Sequence, residues 1–377
     1  MVEIAIPPFR PLEKWSCASE VYPERYQGEE GMQDEQYSLE RNAIPIGTTR
    51  NGNIYTIDGS QSFSLLVIGP TGKGKTWTIR GVCDWLNFLN WLLLIVNDTG
   101  NEYITSLEPN RKHQLPEFAK PRGNPRLRRW VAEWVAPEWE KNKFSLRIAD
   151  LDAMELQYLL GITDNSPKQL MVLDEIVEYF DRQRKRNPDY KVTVKELHAI
   201  RRNPALIFEG YDSEDRLDKE AVGEPLANIY YRLLDLLKKK VVETDNRLKP
   251  LDLITGPDGQ RDRHVILDWS AEKLKKIRDP ASLSGTCMSV IVDRLYEARK
   301  IYRVTQKPEL RVPPFFVVWD EAQPFIIKDS DNFPSTSMAG VFTQGRKEGV
   351  GAILGFQKVG QVDEVYLSNA EHVFIFS

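Results

Sequence analysis

Cysteine and histidine are scarce in this chain. Its 377 residues hold three cysteines (Cys17, Cys83, Cys287) and four histidines (His113, His198, His264, His372), all far apart and without a Cys-x-x-Cys pair. An odd, scattered set of thiols builds no disulfide framework, and the spacing does not suit a structural zinc site, so a reducing compartment is expected. Long apolar runs are missing too. The longest, Trp91 to Val96, spans six residues, against the roughly 20 that a membrane-spanning helix needs. The start, MVEIAIPPFRPLEK, has no basic stretch followed by an apolar core, so it does not read as a secretory signal. These absences predict a cytoplasmic protein with no direct membrane insertion. A large excess of charge of either sign is also absent: 51 Lys and Arg face 55 Asp and Glu, a net charge of −4. That excludes a generally cationic nucleic-acid coat and leaves only local contacts with nucleic acid. What the chain does have is a soluble balance, 41% hydrophobic and 28% charged, with material for a large core and up to three domains.

The pattern along the chain predicts an α/β fold in three parts. Residues 1–60 read as an extended arm rich in Pro, Glu and Tyr, ending in a short β-hairpin with its turn at Asn51-Gly52. Residues 61–105 and 262–377 read as the core. There the buried-strand runs Ser64–Ile68, Leu92–Val96, His264–Leu267, Phe315–Trp319, Ala352–Phe356 and His372–Phe376 alternate with helical segments over 76–89 and 284–302. Strand, loop, helix, strand is the unit of a parallel sheet. Between them, 106–261 carries long, charge-rich stretches of helical spacing, at 152–160, 168–184 and 226–242, and reads as a mainly helical insertion.

Five motifs carry chemistry. The first, Gly69-Pro70-Thr71-Gly72-Lys73-Gly74-Lys75-Thr76, matches G-x-x-x-x-G-K-[ST] in its required setting, an apolar strand before it and a helix after it. Glycines let backbone N–H groups turn toward phosphate oxygens, and the helix presents its positive end to the same group. Lys75 then reaches the β and γ phosphates, and the Thr76 hydroxyl serves Mg²⁺. This predicts ATP and Mg²⁺ as cofactors, held by residues 69–76 with Trp77. The second is an acid pair closing an apolar strand, Asp320-Glu321: Asp320 for Mg²⁺ through water, Glu321 as general base. A rival pair, Asp174-Glu175, follows Leu170-Met-Val-Leu, but its apolar residues continue at Ile176, Val177 and Phe180, which is helical spacing.

The third is Gln357, just past the strand beside the acid pair, a position suited to orienting water, though also that of an ordinary strand-end polar residue. The fourth, Gly345-Arg346-Lys347-Glu348-Gly349, is either a solvated turn or an arginine supplied to a neighbouring subunit. The fifth, Asn97 to Tyr103, puts Asp98 and Glu102 at a strand exit, where they either lie beside nucleotide, as carboxylates do in such sheets, or form an ordinary polar strand end. Two basic stretches, 120–147 with Trp130, Trp134 and Trp139, and 182–202, could bind phosphate backbone. Their interleaved acids favour plain solvated faces.

Together these residues resemble the HerA/FtsK group of P-loop ATPases: GPTGKGKT, then Asp98-Thr-Gly-Asn-Glu-Tyr103, an apolar strand ending in Asp320-Glu321-Ala322, and Gly345-Arg-Lys-x-Gly-x-Gly running into a strand that ends at Gln357. The resemblance covers about 43–105 and 262–377. It implies a RecA-like core with a mainly parallel sheet, a ring hexamer, and translocation of double-stranded DNA with a nuclease or other accessory protein as partner. It implies catalytic roles for Lys75, Glu321, Gln357 as γ-phosphate sensor and Arg346 as an arginine acting in trans, with Thr76 and Asp320 on the metal. Three departures stand out. About 60 residues before the loop leave little room for the β-barrel of HerA helicases, Gln323 stands where His is common, and the sequence stops at Ser377 without the group's usual brace against the neighbouring subunit. Packaging, conjugation and secretion ATPases therefore stay open as relatives.

Overall fold

The computed structural model describes residues 42–48, 54–96, 103, 124–163, 165–208, 219–242, 250–269, 280–329 and 332–376. Runs such as Ser64–Ile68 and Phe315–Trp319 are buried at every position, the pattern of strands covered on both faces. Eight strands form one sheet: β3 (Ser64–Ile68), β4 (Leu92–Ile95), β5 (Leu127–Ala132), β6 (Lys143–Phe144), β7 (His264–Asp268), β8 (Phe315–Trp319), β9 (Val350–Phe356) and β10 (His372–Ile375). Their spatial order is β10-β3-β9-β8-β4-β7-β5-β6, and every pairing is parallel. A separate antiparallel pair, β1 (Ala43–Thr48) and β2 (Ile54–Asp58), forms the expected hairpin strands. Its turn at Asn51-Gly52 and the arm over 1–41 lie outside the described residues.

Alternate side chains of the central strands feed two cores. Leu65, Val67, Leu93, Ile95, Phe316 and Val318 face a cluster with Ile44 and Ile57 of the hairpin and Ile79, Val82 and Leu86 of α1 (Lys75–Phe88). Leu66, Ile68, Leu92, Leu94, Phe315 and Val317 join the larger cluster on the other face. That cluster takes in α2 (Ala153–Leu160), α3 (Pro167–Arg186), α4 (Val194–Arg202), α5 (Lys219–Lys238), α6 (Pro250–Ile254), α7 (Pro280–Thr305), α8 (Phe333–Glu348) and α9 (Glu364–Asn369). The middle segment is thus anchored to the core. α2 opens with a capping box, in which Asp152 and Glu155 exchange side-chain and backbone hydrogen bonds, and Arg294 of α7 donates to the same Glu155 at 2.6 Å.

The segment 106–261 differs from the expectation in one respect. It is helical from α2 to α6, but β5 and β6 extend the main sheet. Leu127-Arg-Arg-Trp-Val-Ala132 hides its strand character because Arg128, Arg129 and Trp130 are all only half-buried. A strand near a sheet edge keeps polar side chains on its open side, so its alternation is weak.

Candidate active site

The loop Gly69–Gly74 leaves the carboxyl end of β3 and enters α1. Gly72 and Gly74 have φ of 80° and 97°, backbone that side chains with a Cβ rarely adopt. No side chain caps α1, and no acid lies in its first turn. Its unpaired N–H groups and positive end therefore face the loop uncompensated, the arrangement that binds phosphate. Lys75 is buried, 5% exposed, and its ammonium donates to the Pro70 carbonyl at 3.2 Å. Among the described residues no carboxylate pairs with it. A buried cation held only by a neutral carbonyl is costly unless an anion joins it.

The acid pair reaches this loop through the order of strands. β9 lies between β3 and β8, and Asp320 follows β8. The Thr76 hydroxyl donates to Asp320 Oδ2 at 2.7 Å. Tyr103 donates its hydroxyl to the same oxygen at 3.1 Å, and the Glu321 backbone N–H donates to Oδ1 at 2.9 Å. Glu321 has φ of 54°, a left-handed conformation that costs a non-glycine residue roughly 1 kcal/mol and collects at functional sites. The next residue holds this turn: Ala322 N–H donates to the Gly355 carbonyl at 2.8 Å. Gln357 follows β9 directly, and its N–H donates to Gln323 Oε1 at 2.7 Å. The chain's own fold therefore gathers Lys75, Thr76, Asp320, Glu321 and Gln357 at one end of the sheet.

The rival acids Asp174 and Glu175 lie within helix α3. Trp77, in the first turn of α1, is 53% exposed, with the Arg80 guanidinium over its ring at 5.5 Å. Asp98 and Glu102 lie outside the described residues. Arg346 sits elsewhere. It ends α8, at the amino ends of the strands, where it donates to Glu371 at 3.0 Å and Gln61 at 2.9 Å. Strands of five to seven residues separate it from the loop by roughly 17–23 Å, so it cannot touch a nucleotide on its own loop.

The basic stretches spend several of their cations inside the fold. Arg126 donates to Asn87 Oδ1 at 2.7 Å, Arg129 to Asp268, Arg182 to the Ile207 carbonyl and Arg184 to Asp181 at 2.6 Å. Lys120 and Arg122 lie outside the described residues. Sequence reasoning gave no role to Tyr103 or Gly355. Tyr103 closes the Asp98–Tyr103 motif, which was the one available signal.

Metal chemistry fits the donor set. Thr76 and Asp320 offer a hydroxyl and a carboxylate, hard oxygen ligands of the kind Mg²⁺ takes with substrate phosphates and water. Among the described residues no group of three or more His, Cys, Asp or Glu could hold a metal by itself, and Mg²⁺ commonly draws its remaining ligands from phosphate and water.

The HerA helicase central domain matches residues 51–268, more than half of the chain. The chain belongs to the HerA central-domain family. The match spans the middle segment as well as the loop, and it ends before the acid pair, which geometry alone brings to the site. With this fold and loop, the chain is a P-loop ATPase of the HerA family. Among solved structures it is similar to VirB4 of Thermoanaerobacter pseudethanolicus, at 15% identity and a TM-score of 0.57 over 89% of this chain and 84% of that one. It is also similar to the bacterial conjugative coupling protein TrwB, at 14% identity and a TM-score of 0.53 over 87% of this chain and 70% of that one. In another TrwB structure, bound to a non-hydrolysable GTP analogue, the chain spans 64% of that protein, at a TM-score of 0.48 and 14% identity. At such identities the likeness concerns the fold. None of the curated protein sequences matches this chain. No helix among the described residues is long and apolar enough to cross a membrane.

Proposed function

We propose that this HerA-family chain is an ATP-driven translocase of double-stranded DNA that works in the cytoplasm as a ring oligomer, a hexamer by resemblance, with ATP hydrolysed between subunits. The observation that carries the reading is the convergence of the Thr76–Asp320 hydrogen bond, the buried Lys75 and Gln357 at one sheet end, with Arg346 exposed at the other. In such an arrangement residues 69–76 wrap the phosphates and Lys75 offsets their charge. Thr76 and Asp320 would hold Mg²⁺, which neutralises charge on the phosphate oxygens when bound. Glu321 takes a proton from the attacking water, and Gln357 orients that water beside the γ-phosphate. Arg346, too far to serve its own site, serves the next subunit's.

A third strand laid on linear duplex DNA tests the motor directly. The protein with ATP should displace it, and Lys75→Ala should not. ATP turnover without displacement would leave the second reading, an ATPase of a secretion, conjugation or packaging machine that needs an accessory partner. The internal use of Arg126, Arg129, Arg182 and Arg184 favours that reading to the extent that it withdraws cations from a DNA-facing surface.

A further inference from the structure

Two segments distant in sequence, together with the adjoining backbone, converge on one carboxylate. Asp320 is 5% exposed. Its Oδ2 accepts from Thr76 and from Tyr103, and its Oδ1 accepts from the Glu321 backbone. Thr76 and Glu321 are there because the loop and the acid strand require them. Tyr103 comes from beyond β4, 217 residues away from Asp320 in sequence. Its side chain divides into two parts with different work. The ring is packed in the smaller core with Ile95, Val318 and Ile79, and the residue is 3% exposed. The hydroxyl is the polar tip, and this packing aims it at Asp320 Oδ2.

From this geometry we infer that Tyr103 is a positioning residue for the metal-holding carboxylate, fixing Asp320 in the orientation that Mg²⁺–nucleotide needs. The inference rests on the ATPase reading above. A phenol donating to an ionised carboxylate makes a charge-assisted bond, stronger than a neutral one. A donor of this kind limits rotation of a carboxylate that otherwise swings about its Cβ–Cγ bond. Outer partners of metal ligands commonly control affinity by 10–100-fold. The role is distinct from binding the phosphates, which falls to the loop and to Lys75. Loss of the hydroxyl should therefore change the metal requirement and spare metal-free nucleotide binding.

The test titrates Mg²⁺ into wild type, Tyr103→Phe and Tyr103→Ala, each with a fluorescent non-hydrolysable ATP analogue, and follows bound fluorescence. Phenylalanine keeps the ring and removes only the hydroxyl. Tyr103→Phe should need roughly tenfold more Mg²⁺ for half-saturation. Its affinity for the analogue without metal should stay within about twofold, its melting temperature should be nearly unchanged, and excess Mg²⁺ should restore full binding. In an Asp320→Asn background the same change should have no further effect on the Mg²⁺ titration, an outcome a merely structural tyrosine does not produce. A Tyr103→Phe titration that overlays wild type overturns the inference while leaving the ATPase reading intact. Wild-type binding that ignores Mg²⁺ altogether overturns both.

Discussion

Replacing Gly355 by alanine sets one methyl group against the acid pair. Gly355 lies in β9 beside the end of β8. A Cβ built there stands 2.5 Å from Asp320 Oδ1, 3.2 Å from the Glu321 backbone nitrogen and 3.3 Å from Asp320 Cα. Ordinary contact begins near 3.4 Å, so either the carboxylate or the strand must move about 0.9 Å. Strand β9 is paired on both sides, so the carboxylate is the softer partner. Overpacking of this kind costs about 1–3 kcal/mol of stability. The larger effect falls on turnover, because a displacement near 1 Å at a reacting centre costs on the order of 100-fold. Steady-state ATP turnover, a fluorescent-nucleotide affinity and a thermal melt on the same preparation separate the two. Turnover should fall about 100-fold while metal-free nucleotide affinity holds, because the loop residues are untouched. Gly351→Ala is the control. Its Cβ would meet the Phe316 ring at 2.2 Å at the other end of the same strand, so it should lower the melting temperature without lowering turnover per folded molecule. Wild-type turnover in Gly355→Ala would refute the claim that the position of Asp320 and Glu321 matters.

His264 sets a pH limit on the fold. Fully buried, its Nδ1 accepts the Leu93 backbone N–H at 3.2 Å, and burial, with the Arg126 charge nearby, lowers its pKa from 6.5 to about 3. The unfolded chain binds this proton below pH 6.5 and the folded chain does not, so stability falls as pH drops from 6.5 toward 3, by about 2 kcal/mol at pH 5. His264→Asn, whose amide oxygen can take the place of Nδ1, should shrink the difference in melting temperature between pH 7.5 and pH 5; an unchanged difference would assign the acid loss to other groups. The trans role proposed for Arg346 predicts that specific ATPase activity falls on dilution and that Arg346→Ala loses about 1000-fold in turnover with nucleotide affinity retained. Dilution-independent activity would contradict the shared site.

The central strands and α1 were legible because each is an unbroken apolar run or a motif in its required setting, and Asp174 could be read as helical from the period of Leu173, Ile176, Val177 and Phe180. β5 was not legible, since Arg128 and Arg129 interrupt its alternation and their partners, such as Asp268 on the neighbouring strand, are remote in sequence. For the same reason Tyr103 and Gly355 could not be given roles: each lies against Asp320, and that contact comes from the pairing of β8 with β4 for Tyr103 and with β9 for Gly355. Arg346 could be picked out as a cation between glycines. Its position at the sheet end away from the loop needed the topology, because α8 runs back antiparallel to the strands it connects.

Coupling of ATP hydrolysis at the acid pair to DNA is the central proposal. The direct measurement is the ATPase rate of wild type and Glu321→Gln, with and without linear double-stranded DNA, at low salt. Strong stimulation by DNA in wild type, with Glu321→Gln still binding ATP but turning over at least about 100-fold more slowly, is the predicted result. A wild-type rate indifferent to DNA, or normal hydrolysis by Glu321→Gln, would contradict it.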